Sequence, residues 1–311
     1  MLLSPGCSHQ EGEPPPQEDP GRSSAQLGVT SAPSPPHGQH PETSPSEPGP
    51  GQAAFPVALT DAAGRAWVFQ APPTRVVSLV PSATRTLEAL GARHLLAGRT
   101  AFDTTESLAP LPSVGGGLHP NLENLLALRP DLVIRHGGHS DRATPRRLDE
   151  AGVVHLAVHT RGLDDVRALI RDLGLITDRG PQADSILEDM EARFQDIRAR
   201  IAGRPPVRVA YILGGNPPWV AGPGTFIHEL LTISGGENAF ADLKAPYGPV
   251  SPEELLVREI HMVLAPEGSE VFLPSSALTL IRVHPDVEIP GPDLPRLARE
   301  LAALLHPQVF R

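Results

Sequence analysis

The sequence predicts an α/β fold of two Rossmann-like lobes with parallel sheets, joined by one long, rigid α-helix. From Phe55 onward, short apolar runs rich in β-branched residues alternate with amphipathic helical stretches. This order favours parallel sheets that are covered by helices on both faces. A long helical pattern interrupts the alternation near the middle of this region, and the alternation then restarts. A chain of 311 residues has room for two such lobes.

The first lobe is predicted over residues 55–180. Its elements are the strand RVVSLV (75–80), the helix SATRTLEALGA (82–92), the helix NLENLLAL (121–128), the strand DLVI (131–134), the strand VVHLAV (153–158) and the helix LDDVRALIRDL (163–173). Ser82 or Thr84 is expected to cap the first helix, and Gly91 to end it. Pro130 would end the second helix, because proline cannot continue one.

A single interlobe helix is predicted over residues 181–204. Apolar residues recur at spacings of four and three from Ala183 to Ile201, which gives one buried helical stripe. Pro181 suits the first turn and Gly203 the end of the helix. At about 1.5 Å per residue, the helix would be roughly 33 Å long, which is about the width of a small domain.

The second lobe, residues 205–311, contains a weak repeat of the first. Its elements are the strand VRVAYIL (207–213), the helical segment TFIHELLTISGG (225–236), the helix and strand SPEELLVREIHMVL (251–264) and a helix within 293–306. When this third segment is aligned with NLENLLALRPDLVI, Glu253 falls on Glu123 and Leu255 on Leu125. The repeat indicates two lobes of related fold.

Residues 1–54 are predicted to be a partial signal or lipid-attachment segment followed by a disordered linker. They are rich in Pro, Gly, Ser, Glu and Gln, and such a segment cannot bury enough apolar surface to offset its ordering entropy. His37 and His40 could touch a metal there, but they are expected to be solvated linker residues. Cys7 is the only cysteine, which excludes an intrachain disulfide framework and a Cys-rich metal site.

Charge and motifs exclude several classes of function. A net charge of -10 without a basic stripe argues against a nucleic-acid partner. No apolar run approaches the roughly 20 residues that span a bilayer. The chain has no Gly-x-Ser-x-Gly elbow, no phosphate loop ending in Gly-Lys-Ser/Thr and no His-Glu-x-x-His. These absences do not exclude an enzyme, but nothing in the motifs indicates one, nor a resident metal or an intrinsic cofactor.

Three loops follow the carboxyl ends of predicted strands, the edge where open α/β sheets bind ligands. They are PSAT (81–84), RHGGHSD (135–141) and GGNPPWVAGPGTF (214–226). On these and neighbouring loops, the candidate ligand-binding residues are Ser82, Phe102, His119, Arg135, His136, His139, Trp219 and Tyr247. The aromatic residues would pack against a ligand, and the basic residues would meet its carboxylates, phosphate or metal. His155 and His159 are expected to be core or edge histidines of their strand.

Three stretches of the chain resemble the substrate-binding proteins of iron-complex and cobalamin ABC importers, and most of all the cobalamin-binding proteins. They are RVVSLVPSAT, LENLLALRPDLVI and GGNPPWVAGPGTFIHELLTISGGENAFADLKAPYGPVSPEELL. The resemblance runs from about residue 56 to the end. It implies a class III periplasmic-binding-protein fold that captures a large cofactor or metal chelate without catalysis. It also implies a monomer, outside the cytoplasm, that delivers its ligand to a permease dimer with ATPase subunits.

The same resemblance implies roles for individual residues. Glu123 and Glu253 match the glutamates that dock to arginine clusters on the two permease subunits. Their simpler interpretation is an exposed carboxylate at a helix start, stabilised by the helix macrodipole; both can hold together. Phe102, Trp219 and Tyr247 match aromatic positions that pack against cobalamin.

Cys7 would then be the lipid-attachment cysteine of an exported lipoprotein anchored in the membrane, with residues 8–54 as its tether. The segment MLLSPG before Cys7 is too short for a charged region and an apolar stretch of about 7–15 residues. Either translation starts further upstream, or Cys7 is an ordinary residue of a disordered leader. The first alternative is favoured.

The choice of ligand depends on where the chain departs from these families. Gly115–Gly117 stand where cobalamin binders can carry a tryptophan, and Arg85 gives SATR where SATE is frequent. No tyrosine lies near residues 117–119, where similar haem binders place an iron ligand, although His119 could serve as an axial ligand. Cobalamin is expected first, a ferric siderophore next and haem after it. A two-lobed tetrapyrrole-handling enzyme that uses His119, His136 or His139 is the alternative from another class.

Overall fold

The computed structural model of the chain describes residues 55–138 and 141–310. The predicted linker, with Cys7, His37 and His40, lies outside the described residues, and so does His139. Within the two described ranges, no helix is both long and apolar enough to cross a bilayer.

The first lobe is built on a four-stranded parallel sheet. Its elements are β1 (Val57–Thr60), β2 (Ala66–Phe69), β3 (Val76–Ser78), α1 (Pro81–Ala89), β4 (Leu96–Gly98), α2 (Leu122–Ala127), β5 (Leu132–His136), α3 (Ala143–Glu150), β6 (Val154–Val158) and α4 (Leu163–Ile176). The strand order is β4-β3-β5-β6, and every neighbouring pair is parallel, as predicted. The antiparallel hairpin β1–β2 was not predicted.

Helix α1 begins without the side-chain cap that the sequence predicts. Its N-cap is Val80, which makes no capping hydrogen bond through its side chain, and Pro81 occupies the first turn. The fixed φ of proline suits that turn, so the helix starts earlier and takes Ser82 inside it. There the Ser82 carbonyl accepts a hydrogen bond of 2.7 Å from the Thr86 hydroxyl. Gly91 follows the helix with a φ of 72°, as expected for a helix end.

One helix, α5 (Gly180–Ile201), connects the lobes and packs into both. It is 22 residues long, which corresponds to roughly 33 Å. Met190, Phe194 and Ile197 are buried on its inner face. They belong to one apolar cluster that contains side chains of the first lobe, such as Leu87, and of the second, such as Leu230. A single core therefore runs through both lobes.

The second lobe has a mixed sheet of six strands. Its elements are β7 (Val207–Gly214), β8 (Trp219–Ala221), α6 (Phe226–Ile233), β9 (Gly236–Asn238), β10 (Tyr247–Pro249), α7 (Pro252–Val257), β11 (Met262–Pro266), β12 (Leu280–Val283) and α8 (Leu294–Leu305). Strands β7, β9, β11 and β12 are parallel, which confirms the predicted parallel sheet, although β9 and β12 were not predicted as strands. The antiparallel β8 and β10 are a correction, because they place Trp219 and Tyr247 on strands instead of loops.

Helices α2 and α7 give the sequence repeat a structural counterpart. The side chains of Asn121 and Ser251 cap them by accepting a hydrogen bond from the third backbone N–H. Leu125 and Leu255 are fully buried at the same position of each helix. Each belongs to a separate apolar cluster of its own lobe. The two lobes thus present the same short helix, fixed in the same way.

Candidate functional site

A cavity of about 450 Å³ lies between the two lobes. On the first lobe it is bounded by the start of α1 and by the residues that follow β5 and β6. The second lobe contributes the start of α6, strand β10 and the turn Pro285–Glu288 with the residues after it. The first-lobe wall is therefore the carboxyl edge of a parallel sheet, where α/β folds bind ligands.

The first-lobe wall carries two imidazoles, His136 and His159. Burial lowers the pKa of His136, and the nearby His159 lowers it further. The His136 ring is therefore neutral at neutral pH and can offer a ring nitrogen to a ligand. Gly117 makes room for this wall, because a Cβ at that position would collide with the Leu79 carbonyl oxygen.

The second-lobe wall combines aromatic rings with a carboxyl group. Tyr247 and Phe226 line the cavity together with Glu288. Burial raises the pKa of Tyr247 to about 12, with a further contribution from Glu288. Burial also raises the pKa of Glu288, which accepts a hydrogen bond of 3.4 Å from the Tyr211 hydroxyl. This wall can stack on a flat ligand and accept hydrogen bonds from it.

The structure brings some of the predicted ligand-binding residues together in this cavity and leaves others outside. Those that line it are Ser82, His136 and Tyr247. Phe102 and Trp219 are exposed, at 65% and 48% of their surface, and neither lines the cavity. His119 is also exposed, whereas its neighbour Leu118 faces the cavity. Ligand contact by Phe102, His119 and Trp219 stays a prediction.

Arg135 is held in a network behind the cleft. Its Nε donates to Nδ1 of His155 at 3.0 Å, and its Nη1 donates to the His136 carbonyl at 3.0 Å. Burial lowers the pKa of the Arg135 guanidinium, while the charges of Asp61 and Asp141 oppose that shift. Arg135 borders a second cavity beside the cleft. It therefore supports the backbone that carries His136.

Sequence reasoning did not place three ionisable residues of the cleft among the ligand-binding candidates, namely His159, Arg161 and Glu288. His155 is a core histidine as expected, at 1% exposure. Strand β6 ends at Val158, so His159 leaves the sheet at its carboxyl edge and enters the cavity. The rule that drew attention to the loop after β5 applies equally here and could have found it.

Several polar contacts join the lobes next to the cleft, among them the following two. The carboxylate of Glu229 on α6 accepts a hydrogen bond of 2.8 Å from the backbone N–H of Leu163 at the start of α4. Arg85 on α1 pairs with Asp286 at 2.6 Å, and this contact lowers the pKa of the Asp286 carboxyl. The unusual arginine of SATR thus bridges from the first lobe to the second.

Glu123 and Glu253 occupy the second position of helices α2 and α7, and both are exposed. Neither has an ion-pair partner in the part of the chain that the structure describes. By contrast, the adjacent Glu254 accepts from the Ser251 backbone N–H and pairs with Arg258. The same described region holds no group of three His, Cys, Asp or Glu side chains arranged to bind a metal ion.

The fold and the interlobe cavity define a two-lobed ligand-binding protein of class III. The family model of the periplasmic binding proteins matches residues 76–269, and the chain belongs to this family of extracytoplasmic binding proteins. The vitamin B12-binding protein of Salmonella paratyphi A is 28% identical over 209 residues, which cover 66% of this chain and 77% of that protein.

Two further comparisons extend this similarity. An uncharacterized ABC transporter substrate-binding lipoprotein of Bacillus subtilis is 26% identical over 275 residues, which cover 83% of this chain and 88% of that protein. The crystal structure of a periplasmic heme binding protein from Pseudomonas aeruginosa superposes with a TM-score of 0.67 at 25% identity. The superposition covers 76% of this chain and 94% of the other. The predicted fold and family are confirmed.

Proposed function

We propose that this chain is the extracytoplasmic substrate-binding component of an ABC importer. It captures a cobalamin-type cofactor or a ferric chelate between its lobes and delivers it, chemically unchanged, to a permease dimer with ATPase subunits. The observation that carries this proposal is the cavity at the carboxyl edge of the first sheet, which both lobes line. The relatives support it, since they include a vitamin B12-binding protein and an ABC transporter substrate-binding lipoprotein.

Cobalamin is the favoured ligand. The neutral ring of His136 can approach a metal centre, and Tyr247 can stack on a flat macrocycle. The Glu288 carboxyl can accept hydrogen bonds from amide groups at the edge of the macrocycle. A ferric siderophore or haem is the alternative ligand. The similar structure of a heme-binding protein supports haem as one of these alternatives.

The proposal extends to the surface that meets the permease. Exposed carboxylates without an ion-pair partner, such as Glu123 and Glu253, are free to pair with arginines on another protein. Two equivalent glutamates on two related lobes fit a permease made of two subunits. Such charges mainly steer and orient association.

Membrane anchoring through Cys7 is the remaining part of the proposal. The Bacillus subtilis relative, described as a lipoprotein, supports it. Mass spectrometry of the chain expressed with its upstream sequence should show a lipid on Cys7, and Cys7→Ala should release the protein from the membrane fraction. If both versions partition alike, the anchor is wrong while the binding proposal stands.

Calorimetry and absorbance titrations test the ligand. The purified chain is titrated with cyanocobalamin, hemin and a ferric hydroxamate. One of them should bind with one-to-one stoichiometry and be recovered unchanged after denaturation of the protein. Turnover of the ligand would favour the tetrapyrrole-handling enzyme, and binding of none of the three would contradict the ligand assignment.

A further inference from the structure

A second cavity, of about 660 Å³, adjoins the cleft on the first lobe. The turn of the β1–β2 hairpin, the start of α3 and the residues after β5 and β6 surround it. It shares four lining residues with the cleft cavity, namely Gly137, Gly138, His159 and Arg161. The two cavities are therefore neighbours along one groove.

The second cavity is cationic, although the chain carries a net charge of -10. Among the described residues, three arginines line it, Arg135, Arg142 and Arg161, against one carboxylate, that of Asp141. Oδ1 of Asp141 accepts the backbone N–H groups of residues 143 and 144, at 3.1 and 3.0 Å. Its charge is thus partly engaged by the first turn of α3.

The arginines differ in how far they are engaged. Arg135 is 8% exposed and donates to His155 and to a backbone carbonyl, so its charge reaches the cavity from behind. Arg161 lies on the boundary of the two cavities, with its Nη2 at 3.0 Å from Nε2 of His159. Arg142 is exposed and makes no side-chain ion pair with another described residue.

The boundary between the cavities stays open because of Gly137. A Cβ at this position would lie 2.7 Å from Cε1 of His159 and 3.0 Å from the Cβ of Ala62. Both distances are shorter than an ordinary carbon–carbon contact of about 3.5–4.0 Å. Any larger residue would have to displace the His159 ring or the hairpin turn, and would narrow the groove at this point.

We propose that the two cavities form one site in two parts, in which the cleft holds the body of the ligand and the second cavity holds an anionic arm of the same molecule. The assignment rests on the proposed function. Cavities of about 300–1,000 Å³ hold drug-sized ligands. A corrinoid cofactor is larger than a drug-sized ligand. Arginines bind phosphate and carboxylate groups strongly, and here they outnumber the lining carboxylate of Asp141, which the start of α3 partly engages. The arm is therefore a phosphodiester, as in cobalamin, or a carboxylate, as in haem.

The test compares ligands with and without the arm, on the full chain, by calorimetric titration. Cyanocobalamin is paired with dicyanocobinamide, which keeps the corrin ring but lacks the phosphodiester-linked nucleotide. Hemin is paired with its dimethyl ester. The variants are Arg142→Ala and Arg161→Ala. The matched control is Arg146→Ala, on the helix that borders the cavity, where the exposed Arg146 pairs with Glu150 and with no other described residue.

Arg142→Ala and Arg161→Ala should each lower the affinity for the ligand that carries the arm by about tenfold. Each should lower the affinity for the ligand that lacks the arm by less than about twofold. Arg146→Ala should change neither affinity. The pair that responds identifies the arm as phosphodiester or carboxylate. Equal losses for both members of a pair, or no loss in either, would overturn the two-part site while leaving the binding function in place. If the unmodified chain binds none of the four ligands but binds a ferric hydroxamate, the two-part site is wrong and the binding function stands; if it binds none of the five, both proposals are wrong.

Discussion

In the first lobe the cleft is lined by the imidazoles of His136 and His159 and the guanidinium of Arg161, whereas the second lobe lines it with the ring of Tyr247 and the carboxyl group of Glu288. Away from the cleft, α2 and α7 are alike in length, cap and buried leucine. Cap and leucine hold each helix in place, so they are needed for folding, while residues after strand ends tolerate change. Related lobes can thus bind different parts of one ligand.

The largest effect is expected where the lobes share a core. Phe194→Ala should lower the free energy of unfolding by about 3–5 kcal/mol, because the fully buried ring packs in the cluster common to both lobes. Arg193→Ala, at the exposed neighbouring position, should change it by less than about 0.5 kcal/mol. Denaturant unfolding should show one transition. Two separate transitions would mean that the lobes fold independently.

The next largest effect is expected on ligand affinity, and it tests the contribution of the second-lobe wall of the cleft. Tyr247→Ala should weaken binding of cyanocobalamin by about tenfold or more, since stacked rings that are fully covered contribute strongly. Tyr247→Phe should retain most of the affinity, because the ring remains and the phenol, with a pKa of about 12, is uncharged at neutral pH. Trp219 lies outside the cavity, so Trp219→Ala should lower the affinity for cyanocobalamin by less than Tyr247→Ala does. An equal or larger loss of affinity for Trp219→Ala would show that the ligand lies closer to Trp219 than proposed.

The third effect concerns association with the permease, and it tests whether the two lobes contribute equally to docking. Glu123→Ala and Glu253→Ala should each weaken association with the permease by roughly tenfold, as expected for loss of a charge-assisted contact. Neither should alter ligand affinity in calorimetry. Glu188→Ala, on the exposed face of α5, is the control. Effects of very different size would show that the helices are alike in structure but unequal in docking.

The smallest effect concerns the ion pair that joins the lobes. Arg85→Ala should lower stability by about 1 kcal/mol at neutral pH, the size expected for a partly buried pair. The pKa of Asp286 is lowered in the folded chain, so the pair stabilises fully above the unfolded value near 3.8 and is lost as the pH falls through the folded value. The difference between wild type and Arg85→Ala, measured by urea unfolding, should therefore shrink in acid. A constant difference would assign the effect to packing of the arginine stem.

The long helix and the short helices were predictable from sequence because their signals are local. The apolar period from Ala183 to Ile201 and the caps Asn121 and Ser251 lie within the elements that they define. Strands β8 and β10 were not predictable in this way. Each has three residues in a segment rich in Pro and Gly. Strand β8 pairs with β7 and β10, and β10 pairs with β8, which is distant in sequence.

The candidate site was predicted in part for the same reason. His136 follows the predicted strand DLVI and is the last residue of β5 in the structure, so the rule for carboxyl ends found it. Glu288 lies on a 3-10 turn after the last strand, in a stretch without helix or strand period. Its place in the cleft depends on how α8 and that turn pack against the rest of the lobe, and residue spacing does not encode this contact.

The shared core has a consequence for docking. Because one apolar cluster ties both lobes to α5, we expect ligand binding to change the separation of Glu123 and Glu253 little. In the proposed docking, once one glutamate engages its permease subunit, the other would meet its partner at high effective concentration. We then expect the protein to act as a bivalent connector of fixed span, and removal of either carboxylate to speed its release from the permease.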